Sequence, residues 1–282
     1  MASRRRPVLR DWLALGVYVL FLVSLCGVEG ANYGLDLLRR CVLKTGTELA
    51  VLAALIALPL IAAAYFNRPF EWRWLLLGIL IAGFDWSLQS SFPWLGPFRS
   101  YYWNWQGFLI ATFGIIAFMA ANKSITLQEI GVTSSFKPRW WLYLAFCVVV
   151  MLLIWIFYHG CRRPLWDPET FWFQGTMPGI REELVLRGVL LAILIRTFES
   201  DRPTGWRKHV WPVALISLYF GILHLVAVSE PIQVTLQWSR WYTALLGLVL
   251  CWIRTGTGSI WPAVLVHNLI NLQWLATYHS WS

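Results

Sequence analysis

A chain of 282 residues that is 58% hydrophobic and only 13% charged exceeds the apolar share of soluble domains, about 45 to 50%, and this excludes an ordinary water-soluble domain. The net charge of +9 comes from basic residues scattered through short loops with no groove or repeat among them. Membrane topology accounts for that charge better than nucleic-acid binding does.

Taken in order, the apolar runs predict helices over Trp12–Val28, Thr47–Phe66, Trp74 to about Leu88, Tyr101–Ala121, Trp140–Tyr158, Gly179–Phe198, Trp211–Val228, Trp241–Ile253 and Ser259–Thr277. Most approach the roughly 17 to 25 residues that cross a bilayer. Asp85 interrupts the third run and the eighth is short, so the fold class is an all-α polytopic membrane bundle of eight or nine helices. Trp12, Trp72, Trp74, Trp140, Trp141, Trp211, Trp241 and Trp261 fall at or near run ends, as headgroup-level aromatics do.

Met1–Arg10 is a basic leader. The run after it reads as a signal anchor, because Val28-Glu29-Gly30 makes a poor cleavage site. Residues 1–121 form an accessory N-terminal set of helices without a chemical constellation; Asp85 is either an intramembrane acid or a helix end near the interface. Residues 122–139 are a polar connection with a weakly amphipathic ITLQEIGV, and residues 140–282 carry the chemistry. Between the fifth and sixth runs, His159–Pro178 is rich in aromatics and reads as a segment at the membrane surface, either a plain anchor or a lid. Cys26, Cys41, Cys147, Cys161 and Cys251 have no metal-ligand spacing. Most serve as apolar filler, and a Cys41–Cys161 disulfide stays open.

Gly179–Phe198 is the stretch that matters most, because its first half holds Arg181, Glu182, Glu183 and Arg187. A charge at a bilayer centre costs roughly 2.5 to 3.5 kcal/mol on insertion scales, so the cluster must be paired, wetted or functional. Glu183 and Arg187 are four apart and predict an intrahelical ion pair. Glu182 then lacks a partner on its own helix and is the candidate general base. The seventh run holds one ionisable group, His224, four residues after Phe220, which is a core, pocket-wall or site residue. The last run holds His267, Asn268 and Asn271. His267 and Asn271 share a helix face, and Asn268 is turned about 100° off it. Glu, His and His-x-x-x-Asn on three apolar helices are the parts for hydrolysis. Glu, His and His could also ligate zinc, which is the less favoured alternative because H-E-x-x-H is absent. No other cofactor is indicated.

EELVLR at Glu182–Arg187, FGILH at Phe220–His224 and HNLIN at His267–Asn271 resemble the E-E-x-x-x-R, F-x-x-x-H and H-x-x-x-N motifs of the CPBP family (CAAX protease and bacteriocin-processing, or Abi). That family includes the type II CAAX prenyl endopeptidases. The resemblance covers about Trp140–Thr277 and implies a metal-independent glutamic intramembrane peptidase. In it Glu182 and His224 activate water, His267 and Asn271 stabilise the oxyanion, and Glu183 and Arg187 orient the site. The partners it implies are the lipid bilayer and a membrane-anchored or lipidated protein substrate, and the expected compartment is a bacterial inner (plasma) membrane.

With nine helices and the N-terminus inside, and with Arg181 and Arg187 set aside, 14 of the 23 Lys and Arg residues fall inside and seven outside. This is the positive-inside bias. The orientation puts Glu182 and His224 together toward the outer leaflet. It predicts cleavage of secreted or membrane-tethered proteins on the extracytoplasmic side, whereas a prenyl endopeptidase would serve the cytosolic side. A transporter would show paired half-helices or a repeat, and neither is present. A non-catalytic immunity or scaffold protein remains the other reading.

Overall fold

The computed structural model describes residues 71–91, 103–121, 125–158, 167–198, 209–229 and 233–278. The first two predicted helices and Cys26, Cys41 and Cys161 lie outside these residues. Helices dominate: α1 (Trp72–Ser91), α2 (Trp105–Ala121), α3 (Trp140–Tyr158), α4 (Pro168–Gln174) and α5 (Met177–Glu182) come first. A more widely wound stretch, Glu183–Leu190, links α5 to α6 (Leu191–Phe198). Then follow α7 (Val210–Leu225), α8 (Thr243–Thr257) and α9 (Trp261–Tyr278). The apolar runs that fall among the described residues are thus met largely as helices, yet among these residues no helix is long and apolar enough to cross a membrane.

Two expectations are corrected. The run Trp211–Val228 does not stay helical to its end. Val226–Ser229 is a strand, β1, paired antiparallel with β2 (Gln233–Leu236), so the fold carries one small hairpin beside its helices. β-Branched residues favour that extended backbone. The Gly179–Phe198 helix starts earlier, at Met177, and does not keep one pitch. The ITLQEIGV segment forms turns, with Gly131 at φ +78°, where a Cβ would overlap the Arg254 guanidinium. A side chain is excluded there by both conformation and space.

The core lies where α1, α2 and the charged helix meet, with Leu77, Ile81, Ile115, Val189 and Ile193 fully buried. α7 and α8 approach through small residues: a Cβ on Gly221 would stand 2.6 Å from that of Ala244, and one on Gly247 2.9 Å from the Ser217 Cα. Such small residues let the two helix backbones approach closely. The outer side of α3 exposes Trp141, Phe146, Val149, Leu152, Leu153 and Ile156. An apolar face that broad needs a cover other than water.

The two ends of the bundle differ. At one end the 125–139 segment ties the ends of α6 and α8 together. Arg196 Nη2 donates to Glu129 Oε1 at 2.6 Å, Arg254 Nη2 to the Glu129 carbonyl at 2.8 Å, and Lys137 Nζ to the Thr255 carbonyl at 2.7 Å. Partial burial pushes the Glu129 carboxyl up, but hydrogen bonds from Thr126 and Arg196 outweigh it and hold the group below its ordinary value. At the other end lie α4, the start of α2 and the hairpin. Asp167 caps α4, and its bonds from the Thr170 hydroxyl and amide hold its carboxyl low. Trp103 donates its backbone N–H to Glu169 and its indole N–H to Thr170, each at 2.8 Å. Phe173 of α4 is boxed by Trp103, Trp105 and Phe108, with ring centroids at 5.0, 5.1 and 4.9 Å.

Candidate active site

Pro178 stands in the first turn of α5, where a missing N–H costs nothing. The next N–H, of Gly179, is one of the donors a helix start leaves unpaired. It is satisfied from α9: Asn268 Oδ1 accepts it at 2.9 Å, and Asn268 Nδ2 donates to the Thr176 carbonyl at 3.3 Å. A Cβ on Gly179 would overlap that amide and stand 2.8 Å from the Val264 carbonyl. Asn268 therefore clamps the start of the charged helix onto α9. Sequence spacing had only turned it off the face of His267 and Asn271.

From Glu183 the backbone bonds run five residues back: the Leu191 N–H reaches the Leu186 carbonyl as well as that of Gly188. Such winding is rare and occurs mostly as single turns at functional sites. The change of pitch falls between the two adjacent glutamates and gives them different surroundings. Glu183 is fully buried, and its Oε1 accepts from Arg187 Nη1 at 3.0 Å, the ion pair expected from the spacing. The same oxygen accepts from His267 Nδ1 at 2.8 Å. Glu183 Oε2 and the Nε and Nη2 of Arg187 have no hydrogen-bond partner among the described residues. The Arg187 guanidinium lies instead over the Phe220 ring, 4.4 Å from its centroid, a favourable position for a desolvated cation.

Glu182 takes the other environment. It lines a small cleft with Arg181, Leu186, Tyr219 and Leu223, which has room for about one water. Its Oε2 stands 3.9 Å from His267 Nε2, too far for a direct hydrogen bond and close enough to share a small reactant. Because Nδ1 of His267 is committed to Glu183, Nε2 is the ring nitrogen left for chemistry. His224, at the end of α7, is arranged alike: its Nδ1 donates to the Phe220 carbonyl at 2.9 Å and leaves Nε2 free of its own helix. Phe220 touches both histidines, with ring centroids 4.4 Å from His224 and 5.9 Å from His267. Phe220 is 3% exposed, so it is a wall between them.

The structure thus brings Glu182, Glu183, Arg187, Phe220, His224 and His267 to one place. Asn271, one turn beyond His267 on α9, is half-buried and has no hydrogen bond among the described residues. Arg181 is a wall of the Glu182 cleft that spacing did not assign, and its guanidinium lies 4.9 Å from the Phe108 ring centroid. No group of three or more His, Cys, Asp or Glu among the described residues stands close enough to hold a metal ion. Cys147 and Cys251 are buried free thiols. Asp85 lies in α1.

Residues 140–273 match the family described as Type II CAAX prenyl endopeptidase Rce1-like. The match spans all three motifs. No curated protein and no solved structure matches the chain.

Proposed function

Because residues 140–273 belong to the Rce1-like family of type II CAAX prenyl endopeptidases, a family of membrane proteins, we propose that the chain is a glutamic intramembrane endopeptidase. Its substrate is a membrane-anchored or secreted protein. The observation that carries this reading is the 3.9 Å gap between Glu182 Oε2 and His267 Nε2, beside the water-sized cleft. Water held by Glu182 and His224 loses a proton to the carboxylate as its oxygen attacks the scissile carbonyl. His267 and the Asn271 amide stabilise the oxyanion that develops. Collapse expels the amine, which takes the proton back from Glu182. Glu183 and Arg187 hold the His267 ring in place.

What supports an extracytoplasmic site is the distribution of charge between the two ends. Arg73, Lys137, Arg139, Arg196 and Arg254 gather at the end bound together by Glu129 and Thr255, opposite the end that holds His224, α4 and Arg240. By the positive-inside rule the basic end faces the cytoplasm. The outward apolar side of α3 is a surface for lipid. A cytosolic site acting on prenylated CAAX proteins is the second reading, favoured by the family description itself.

The test is cleavage by purified protein in detergent, wild type against Glu182→Ala, with and without chelator, over peptides that include a prenylated CAAX peptide and a C-terminal anchor-helix peptide. Chelator-resistant cleavage that Glu182→Ala abolishes is the expected result. Loss of cleavage to chelator would instead favour zinc.

A further inference from the structure

The hairpin that begins two residues after His224 has an edge that no other strand pairs with among the described residues. Its register pairs Val226 with Leu236, Ala227 with Thr235, Val228 with Val234 and Ser229 with Gln233. One step outside the register, the Gln237 N–H bonds the Leu225 carbonyl at 2.7 Å, which fixes the phase of the ladder. Hydrogen-bonded pairs alternate along an antiparallel ribbon. With residues 225 and 237 bonded, Ala227 and Ser229 face β2. Val228 turns its own N–H and C=O to the opposite side. The sheet has two strands, and no other backbone bond reaches Val228 among the described residues.

An endopeptidase working at membrane depth has to expose a scissile bond by unwinding its substrate. Each backbone N–H and C=O so freed costs several kcal/mol in hydrocarbon unless it finds a partner. A substrate bond held at His224 carries its flanking residues away at about 3.3 Å per residue. Val228 follows His224 by four residues. The substrate residues about three or four positions from the scissile bond therefore run alongside β1.

We propose that the outer edge of β1, centred on the backbone of Val228, binds the unwound flank of the peptide substrate as an added β-strand. This rests on the peptidase reading and deepens it. Main-chain pairing accepts many side chains, so the edge selects for an extended, locally unwound segment rather than for a sequence.

Val228→Pro removes the outward N–H and keeps the bonds to β2, which an edge position tolerates. With a peptide that wild type cleaves, we expect KM to rise about 5- to 10-fold, the scale of one hydrogen bond, with little change in kcat. Methylating the matching substrate amide should give the same loss, and combining the two should add little. In Glu182→Ala protein, adding that peptide should slow amide exchange at Val228. Cleavage by wild type with an unchanged KM in Val228→Pro and unchanged Val228 exchange overturns the edge alone. No cleavage of any peptide by wild type overturns the peptidase reading and this inference with it.

Discussion

Removing the Glu183 carboxylate leaves Arg187, which is fully buried, without its carboxylate partner and lying over the Phe220 ring. Breaking a buried pair from one side costs about 3–5 kcal/mol, since the remaining charge stays desolvated. The orphaned His267 Nδ1 adds about 1–3 kcal/mol as a buried donor without an acceptor. Glu183→Ala should therefore lower stability by roughly 4 kcal/mol or more. Glu183→Leu combined with Arg187→Leu should recover most of that loss, because no buried charge is left. The assay is unfolding in mixed detergent micelles with rising SDS, followed by tryptophan fluorescence, over both single variants and the double. A Glu183→Ala loss below about 1 kcal/mol, or a double variant as unstable as the sum of the singles, would refute the argument that this pair is dry and coupled.

Glu182→Ala should reduce cleavage by about 10²- to 10⁴-fold, the usual worth of a general base. Its unfolding midpoint should stay near wild type, as the carboxylate lies against a cleft, 3.9 Å from His267 Nε2 and without a direct hydrogen bond to it. Gly179→Ala should cost about 1–3 kcal/mol and cut activity, since the methyl meets the Asn268 amide and the Val264 carbonyl; a wild-type melting curve would count against the clamp. Phe173→Ala empties the box formed by Trp103, Trp105 and Phe108 and should cost about 3–5 kcal/mol, measured in the same unfolding assay. Glu129 titrates lower in the fold than in the unfolded chain, so its contribution is present above the ordinary carboxylate pKa and lost as pH falls through the lowered value. Its side chain is 42% exposed, so the effect should stay below about 1 kcal/mol. Comparing Glu129→Gln with wild type at pH 7 and near pH 3 checks it, and an equal difference at both would contradict the assignment.

Some of this was legible from residue spacing alone. Helix α3 runs over Trp140–Tyr158 as its apolar run predicts, because a continuous hydrophobic stretch offers no alternative boundary. The Glu183–Arg187 pair follows from four-residue spacing and survives the altered winding. The link from Glu183 to His267 depends on how two helices are rotated against each other, which no local pattern encodes. Asn268 was hard to assign for a related reason: the donor it serves is the Gly179 backbone, which every residue but proline possesses. The hairpin had a local signal in the β-branched residues on either side of Glu230-Pro231. Those same residues prolong an apolar run, and the run was read as helix. The change of pitch at Glu183 has no signature in side-chain chemistry, since it spreads one extra residue over a turn.

That extra residue makes the charged helix respond unequally to a change in length. Deleting one residue between Glu183 and Leu190 lets the stretch return to normal winding, with little change in how the residues before it are rotated relative to α6. Adding one finds no such slack, and everything before it then turns by roughly 100°. Glu182 would leave its cleft and Gly179 would leave Asn268, although every side chain named in the chemistry would still be present. The segment therefore tolerates the loss of a residue more readily than the gain of one, and its length bears on a working site as much as its motif letters do.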